Sequence, residues 1–280
     1  MNLNNLILVP TDFSEVCKNA VEYAIRVGEM LKFDICIYHV INKESEKQFG
    51  TDDLEGEVEK NLISLKDEFA AKTSLQIQYA FEEGSIFDLI HHKAEMIGAN
   101  LIVLGTHGKK GMQRLFGSFA LKVITRAQVP TLVVQKKPFT NVSRILFPVN
   151  TFTEARQKVN YAITTAKVFD AEIVIYKELV KDPSDRNRIE IITKQIVEAF
   201  KKEGVKYSVE MSEKAGESAK LLIAHAVEKN MDLIMIVTEP QVGSSQFSVG
   251  PWNEKIMFNE AQIPVLCINP IEHSAVYFDL

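Results

Sequence analysis

Two short segments of this 280-residue chain carry residue types that could form a ligand site, and the second of them suits an anion. One is Pro10-Thr11-Asp12-Phe13-Ser14; the other is Gly105-Thr106-His107-Gly108-Lys109-Lys110-Gly111, running on to Gly117-Ser118. Glycines let a backbone come close to an anion and reach positive-φ conformations that turn N–H groups inward. Gly117-Ser118 at a helix start would add helix N-terminal amides and a hydroxyl, with the helix dipole favouring negative charge. Lys109, Lys110 and Arg114 would bring positive charge to the rim. The plain alternative is that the glycines only turn the chain, and that Asp12 is a helix-entry residue competing with Ser14 for the cap. Neither common nucleotide fingerprint is present. GxxxxGK[ST] is absent, and PTDFS after the first apolar run is not GxGxxG, so P-loop and dehydrogenase assignments fall.

Other chemistry finds little support. His91 and His92 are adjacent on an expected helix, where they point about 100° apart and make a poor metal pair. With His39 and His107 they would meet only by accident of folding, so no metal is expected. No Ser–His–Asp set, nucleophile elbow or carboxylate dyad stands out, and the chain is not read as an enzyme. Cys17, Cys36 and Cys267 are far apart, without CxxC spacing, and read as reduced, buried thiols. Trp252 reads as packing, and the charged stretch 181–203 as a solvated helix and its approach.

The bulk properties narrow the field. Hydrophobic residues make up 46% and charged residues 25%, an ordinary globular mixture. The net charge of −5 disfavours a nucleic-acid partner. The opening MNLNNLILVPTDF has no basic start and only a short apolar run before Pro10, and no stretch approaches a membrane span. A cytoplasmic protein without a membrane partner is the expectation.

The elements that must position these residues are written twice. Leu6-Ile7-Leu8-Val9-Pro10 returns as Arg144-Ile145-Leu146-Phe147-Pro148, and Ile35-Cys36-Ile37-Tyr38 as Ile173-Val174-Ile175-Tyr176. Leu101-Ile102-Val103-Leu104 pairs with Leu233-Ile234-Met235-Ile236, and Gln128-Val129-Pro130-Thr131-Leu132 with Gln262-Ile263-Pro264-Val265-Leu266. In the first copy the apolar runs 6–10, 34–41, 75–81, 100–105 and 131–135 show little alternation, as in parallel strands covered on both faces. Helical spacing lies between them, near 14–32, 55–73, 85–97 and 116–127, with Ser14 and Gly84-Ser85 opening two of these helices. Strand–helix alternation with short links predicts an α/β protein with two consecutive doubly wound five-stranded parallel sheets, residues 1–138 and 143–280, joined by a linker from Pro138 to Ser143. A single ten-stranded sheet is the alternative. The last strand of each copy is expected at a sheet edge, and open edges invite pairing. The tail 270–280 has no assignment.

Taken together, ILVPTDFS, GTHGKKGMQRLFGS and AQVPTLVV resemble the universal stress protein family, in tandem form over nearly the whole chain. The resemblance implies an adenine nucleotide alpha hydrolase-like fold and a meeting of the two edge strands, so that one chain mimics a dimer; a further homodimer of chains stays open. The nucleotide-binding branch carries Gly-x2-Gly-x9-Gly-[Ser/Thr]. Gly105, Gly108, Gly117 and Ser118 match its residues, with eight rather than nine residues between Gly108 and Gly117. By the same resemblance the ligand is ATP or a related adenine nucleotide, with or without Mg2+. Asp12 would accept from the adenine amino group, the Val40 backbone would contact the base, and Pro10 and Thr11 would wall it.

The second copy departs from the pattern. Asn150 stands where Asp12 does; Gly105, His107 and Gly108 become Val237, Glu239 and Pro240; Gly250-Pro251 replaces Gly117-Ser118. This copy is expected to bind no ATP and to serve as a built-in partner domain. Two functions stay open: a nucleotide-binding stress-response sensor or switch with slow or no hydrolysis, and an interaction or scaffold protein that binds no nucleotide. A dedicated adenylate-forming enzyme would carry a Ser-Gly-Gly-x-Asp-Ser style loop after the first strand, and PTDFS is not that.

Overall fold

The apolar runs become strands because each is covered on both faces. β1 (Leu6–Pro10) is buried along its whole length, and β2 (Asp34–Ile41) is buried after its first residue. The computed structural model describes residues 4–107, 115–151, 153–216, 218–240, 247–248 and 251–270; residues 271–280 of the unassigned tail lie outside that set. In the leading copy α1 (Glu15–Leu31) follows β1, then after β2 come α2 (Lys43–Phe49), α3 (Leu54–Ala70), β3 (Ile77–Glu83), α4 (Ile86–Met96), β4 (Leu101–Gly105), α5 (Leu115–Ile124) and β5 (Thr131–Val134). The trailing copy repeats the plan: β6 (Arg144–Val149), a 3-10 turn (Thr153–Lys158) continuing into α6 (Val159–Phe169), β7 (Glu172–Lys177), α7 (Pro183–Lys202), β8 (Tyr207–Met211), α8 (Ser218–Glu228) and β9 (Leu233–Val237). A two-residue pair, β10 (Glu239–Pro240) with β11 (Phe247–Ser248), precedes α9 (Pro251–Met257) and β12 (Val265–Ile268).

The main sheet has ten strands in the order β3-β2-β1-β4-β5-β12-β9-β6-β7-β8. Each copy contributes five parallel strands, and the two edge strands meet antiparallel, with Val265 opposite Val133 and Leu266 opposite Leu132. The two expected five-stranded units are therefore halves of one continuous sheet. Two apolar layers cover its faces, one under α1, α3, α6 and α7 and the other under α4, α5, α8 and α9.

Each copy also reaches across the junction. Asn269, just past β12, donates from Nδ2 to the carbonyls of Ile124 and Ala127 at 2.6 and 2.7 Å, which closes the C-terminal end of α5. Gln135, just past β5, donates to the Asn259 carbonyl at 3.0 Å, beyond the end of α9. Helix ends leave carbonyls without intrahelical partners. Here the partner copy supplies the donors.

Local signals explain most boundaries. Ser14 caps α1 by accepting from the Cys17 N–H at 3.4 Å, and Lys32 ends that helix in the left-handed region. Ser85 precedes α4 as its N-cap residue, without a side-chain cap bond. β3 lies two residues later than its apolar run suggested. It is an edge strand with a solvated face, so Glu82 and Glu83 extend it at little desolvation cost. α2 has no apolar stripe to announce it, and its signal is an Asn42/Ser45 capping box.

Candidate functional site

β1 and β4 pair only at Ile7 with Leu101 and at Leu8 with Ile102, and beyond those residues the ladder opens. This is the switch point of a doubly wound sheet, the place where such folds take ligands. Pro10 closes β1 here. Its neighbour Thr11 donates its N–H toward β2, to the Tyr38 carbonyl, so the alternate direction at Pro10, toward the opened side, carries no donor. β1 ends opposite Tyr38, which leaves the β1-side backbone edge of Val40 past the end of its neighbour strand. The Val40 carbonyl accepts there from Asn42 Nδ2 at 3.3 Å, and Ser45 Oγ lies 3.4 Å from it.

The loop after β1 is tightly held. Thr11 Oγ1 accepts from the Phe13 N–H at 3.0 Å, and Asp12 Oδ1 from the Ser14 N–H at 2.9 Å. Phe13 is left-handed, with φ of 66°, a conformation that costs a bulky residue about 1–2 kcal/mol. Its ring packs on His39 at 4.8 Å and edge-on to Phe49 of α2 at 5.7 Å. Burial alone would raise the Asp12 pKa. Hydrogen bonds with Ser14 and Cys17 outweigh it and hold the carboxyl below the usual aspartate value. Asp12 is thus an ionised, half-buried acceptor beside the crevice. The structure brings together Pro10, Thr11, Asp12 and the Val40 backbone.

The glycine segment divides. Gly105 ends β4 beside this loop, but its φ is not positive, and a Cβ there would lie 2.8 Å from the Val16 carbonyl oxygen and 3.2 Å from the Cys17 Cα. Its visible requirement is close approach of the first turn of α1. Gly108 lies outside the described residues, as do Lys109, Lys110, Gly111 and Arg114. α5 begins two residues before Gly117, so Gly117 and Ser118 fall in its first turn. Among the described residues no three side chains of metal-ligating type converge.

Sequence reading weighed His39 only as a chance metal ligand. It is 3% exposed, with Nδ1 2.8 Å from the Thr11 carbonyl and Nε2 3.0 Å from Ser45 Oγ. A lone polar residue in a strand reading DICIYHVI was the available signal.

The trailing copy has a different interior at the same place. β6 and β9 also separate after two pairs, but the opening is filled by the Lys158 side chain. Its Nζ donates to the carbonyls of Pro148 at 2.7 Å and Met235 at 2.9 Å, and stands 4.2 Å from the Phe147 ring centre. Burial drives its pKa well below the ordinary lysine value. The repeat places Ala20 at this position in the leading copy, a side chain too short to reach. Beside Asn150 a cavity of about 10 Å³ remains, lined also by Pro148, Tyr176 and Ser212. That is room for about one water.

A duplicated, doubly wound α/β chain, with a switch point after β1 in one copy and after β6 in the other, defines the class: a mononucleotide-type fold in tandem. The model of the universal stress protein family matches residues 4–135, the leading copy. Universal stress protein MJ0531 of Methanocaldococcus jannaschii is 32% identical over 144 residues, covering 48% of this chain and 84% of that protein. Universal stress protein G of Shigella flexneri is 28% identical over 141 residues, covering 46% of this chain and 97% of that protein. At the level of the whole chain, the crystal structure of a universal stress protein from Archaeoglobus fulgidus superposes with a TM-score of 0.76 at 21% identity, covering 95% of this chain and 99% of that one. The chain belongs to the universal stress protein family.

Proposed function

We propose that the leading copy binds ATP or a related adenine nucleotide and that the chain acts in the cytoplasm as a stress-response sensor or switch, with slow or no hydrolysis. The observation that carries this is Asp12, a carboxylate held ionised beside the opened β1–β4 ladder, next to the β1-side backbone edge of Val40, which lies past the end of β1. An acceptor-only side chain next to a backbone edge suits a base edge that carries an exocyclic amine. Pro10 and Thr11 would flank the base. Gly108, Gly117 and Ser118, with the N-terminal turn of α5, would face the phosphates, where Mg2+ would offset their charge. A bound nucleotide supplies a polyanion whose presence or absence can be read by the fold. No residue in this reading is assigned as a base toward water.

In the same reading residues 1–138 and 143–280 are the two domains, and the trailing one supports the leading one without binding nucleotide. Filling of its crevice by Lys158 is consistent with that role. Calorimetry with ATP and Mg2+ tests the proposal: saturable heat in the wild type, lost in Asp12→Ala, is expected. Silence in both proteins rejects it. One observation favours a second reading, an interaction protein without nucleotide: the eight-residue spacing between Gly108 and Gly117.

A further inference from the structure

α2 exists only in the leading copy, where it stands over the loop that carries Asp12. Its exposed contact with that loop is weak, a 3.3 Å bond from Gln48 Nε2 to the Asp12 carbonyl. The buried contact is different. Thr11, His39 and Ser45 are 7%, 3% and 4% exposed, and they form one chain of hydrogen bonds from the loop through β2 to the first turn of α2. A carbonyl only accepts, so the Thr11 oxygen fixes the proton on His39 Nδ1. Nε2 then accepts from the Ser45 hydroxyl, whose oxygen also receives the Asn42 N–H at 3.3 Å as part of the α2 capping box. The imidazole is thus neutral and satisfied at both nitrogens.

We infer that His39 is a positioning residue of the ligand site, holding the Thr11–Phe13 loop in place from behind and coupling occupancy of that loop to helix α2. The inference rests on the nucleotide reading of the leading copy. Its physical basis is that the Phe13 backbone is strained and persists only while its neighbours fix it. A carbonyl anchored from the core side of the sheet supplies such a constraint. Ligand contact at Asp12 tightens a loop whose other tether runs to Ser45, so a bound nucleotide stabilises the first turn of α2 without touching it.

Two substitutions separate the links. His39→Leu removes both bonds. His39→Asn keeps an N–H close to the position of Nδ1, preserving the Thr11 bond and the capping box while breaking the link to Ser45. Calorimetry with ATP and Mg2+ and amide hydrogen exchange with and without ATP are the readouts. In the wild type, ATP is expected to slow exchange over residues 43–49. His39→Leu is expected to weaken ATP about tenfold, the loss of about one buried hydrogen bond. His39→Asn is expected to bind within about threefold of wild type, yet ATP no longer slows exchange over 43–49. Wild-type affinity in His39→Leu, or undiminished slowing over 43–49 in His39→Asn, overturns the inference and leaves the nucleotide reading standing. Should the wild type bind no ATP, the nucleotide reading falls, and ligand-free exchange decides the coupling. Faster exchange over both 11–14 and 43–49 in His39→Leu supports it, and unchanged exchange at either segment overturns it. If His39→Leu does not fold, His39→Asn carries the decision by the same comparison.

Discussion

Replacing Gly105 by alanine tests why a glycine stands at the end of β4. The added Cβ would lie 2.8 Å from the Val16 carbonyl oxygen and 3.1 Å from its carbon, whereas ordinary contacts begin near 3.4 Å. The obstacle is backbone in the first turn of α1, not a side chain that can swing away, so β4 and α1 must part by about 0.6 Å. Overpacking of this kind costs about 1–3 kcal/mol. Restricting the unfolded chain returns about 0.4–1 kcal/mol, leaving a net destabilisation of about 1–2 kcal/mol. For a chain of this size that corresponds to a fall in Tm of about 2–8 °C. Urea unfolding followed by circular dichroism measures it directly. Because α1 starts at Glu15, directly after the Asp12 loop, the same shift is expected to weaken any nucleotide bound there. A Gly105→Ala protein as stable as wild type, or more stable, refutes the close-approach reasoning and returns Gly105 to a purely ligand-facing role.

Three further outcomes follow from the same geometry. Asp12→Asn introduces the residue of the trailing copy; it retains an acceptor for the Ser14 N–H but loses the charge, so ATP affinity is expected to fall about tenfold, and unchanged calorimetric affinity would remove Asp12 from the site. Lys158→Met eliminates a titration: the folded pKa lies well below the unfolded one, so the unfolded chain binds more protons between them and Lys158 contributes stability that is complete above about pH 10.4 and declines as pH falls toward the folded value. Wild type is therefore expected to gain on Lys158→Met as pH rises from neutral to about 10, and parallel stability curves in urea would contradict this. Asn269→Ala leaves the Ile124 and Ala127 carbonyls without their donor from the other copy. It is expected to cost about 1–2 kcal/mol and to raise amide exchange in α5; unaltered exchange there would show that the cross-copy bonds do not support the helix.

The duplication and the parallel strands were legible because each rests on long-range regularity: apolar runs covered on both faces, returning in the same order; the meeting of the two edges was legible only through the family resemblance. Ser14 was legible as a cap because capping is local chemistry. What escaped was set by neighbours distant in sequence. α2 has seven largely polar residues, KESEKQF, and becomes helical through its cap and its packing over the loop, not through a stripe. β3 ends in Glu82 and Glu83 because it is an edge strand, which its own residues do not state. For Gly105 the expected reason was anion approach, while the visible one is the backbone of α1 from ninety residues earlier. His39 was weighed only as a chance metal ligand beside His91, His92 and His107. Its partners, Thr11 and Ser45, lie on two other elements.

The two copies differ at the start of the helix that follows their first strand. α1 and the stretch formed by the 3-10 turn with α6 are seventeen residues each and begin at equivalent positions, Glu15 and Thr153. In the leading copy all seventeen are α-helical, and the first turn lies against Gly105. In the trailing copy the glycine is Val237, whose side chain would meet the same turn, and the first six residues are 3-10 instead. A 3-10 stretch rises about 2.0 Å per residue against 1.5 Å in an α-helix, so six residues gain about 3 Å along the axis. The residue at the end of that stretch is Lys158, and its side chain enters the gap to take the Pro148 and Met235 carbonyls. A ligand in the trailing crevice would have to displace a buried amine from two hydrogen bonds and leave both carbonyls bare, a penalty of about 1–3 kcal/mol for each unsatisfied group. Loss of the glycine, the 3-10 helix start and the inserted lysine occur together at the trailing crevice. Reversing only Asn150 to aspartate would therefore not restore binding in the trailing copy: calorimetry on Asn150→Asp in an Asp12→Ala background is expected to remain silent, and heat from that protein would show that Lys158 does not close the crevice.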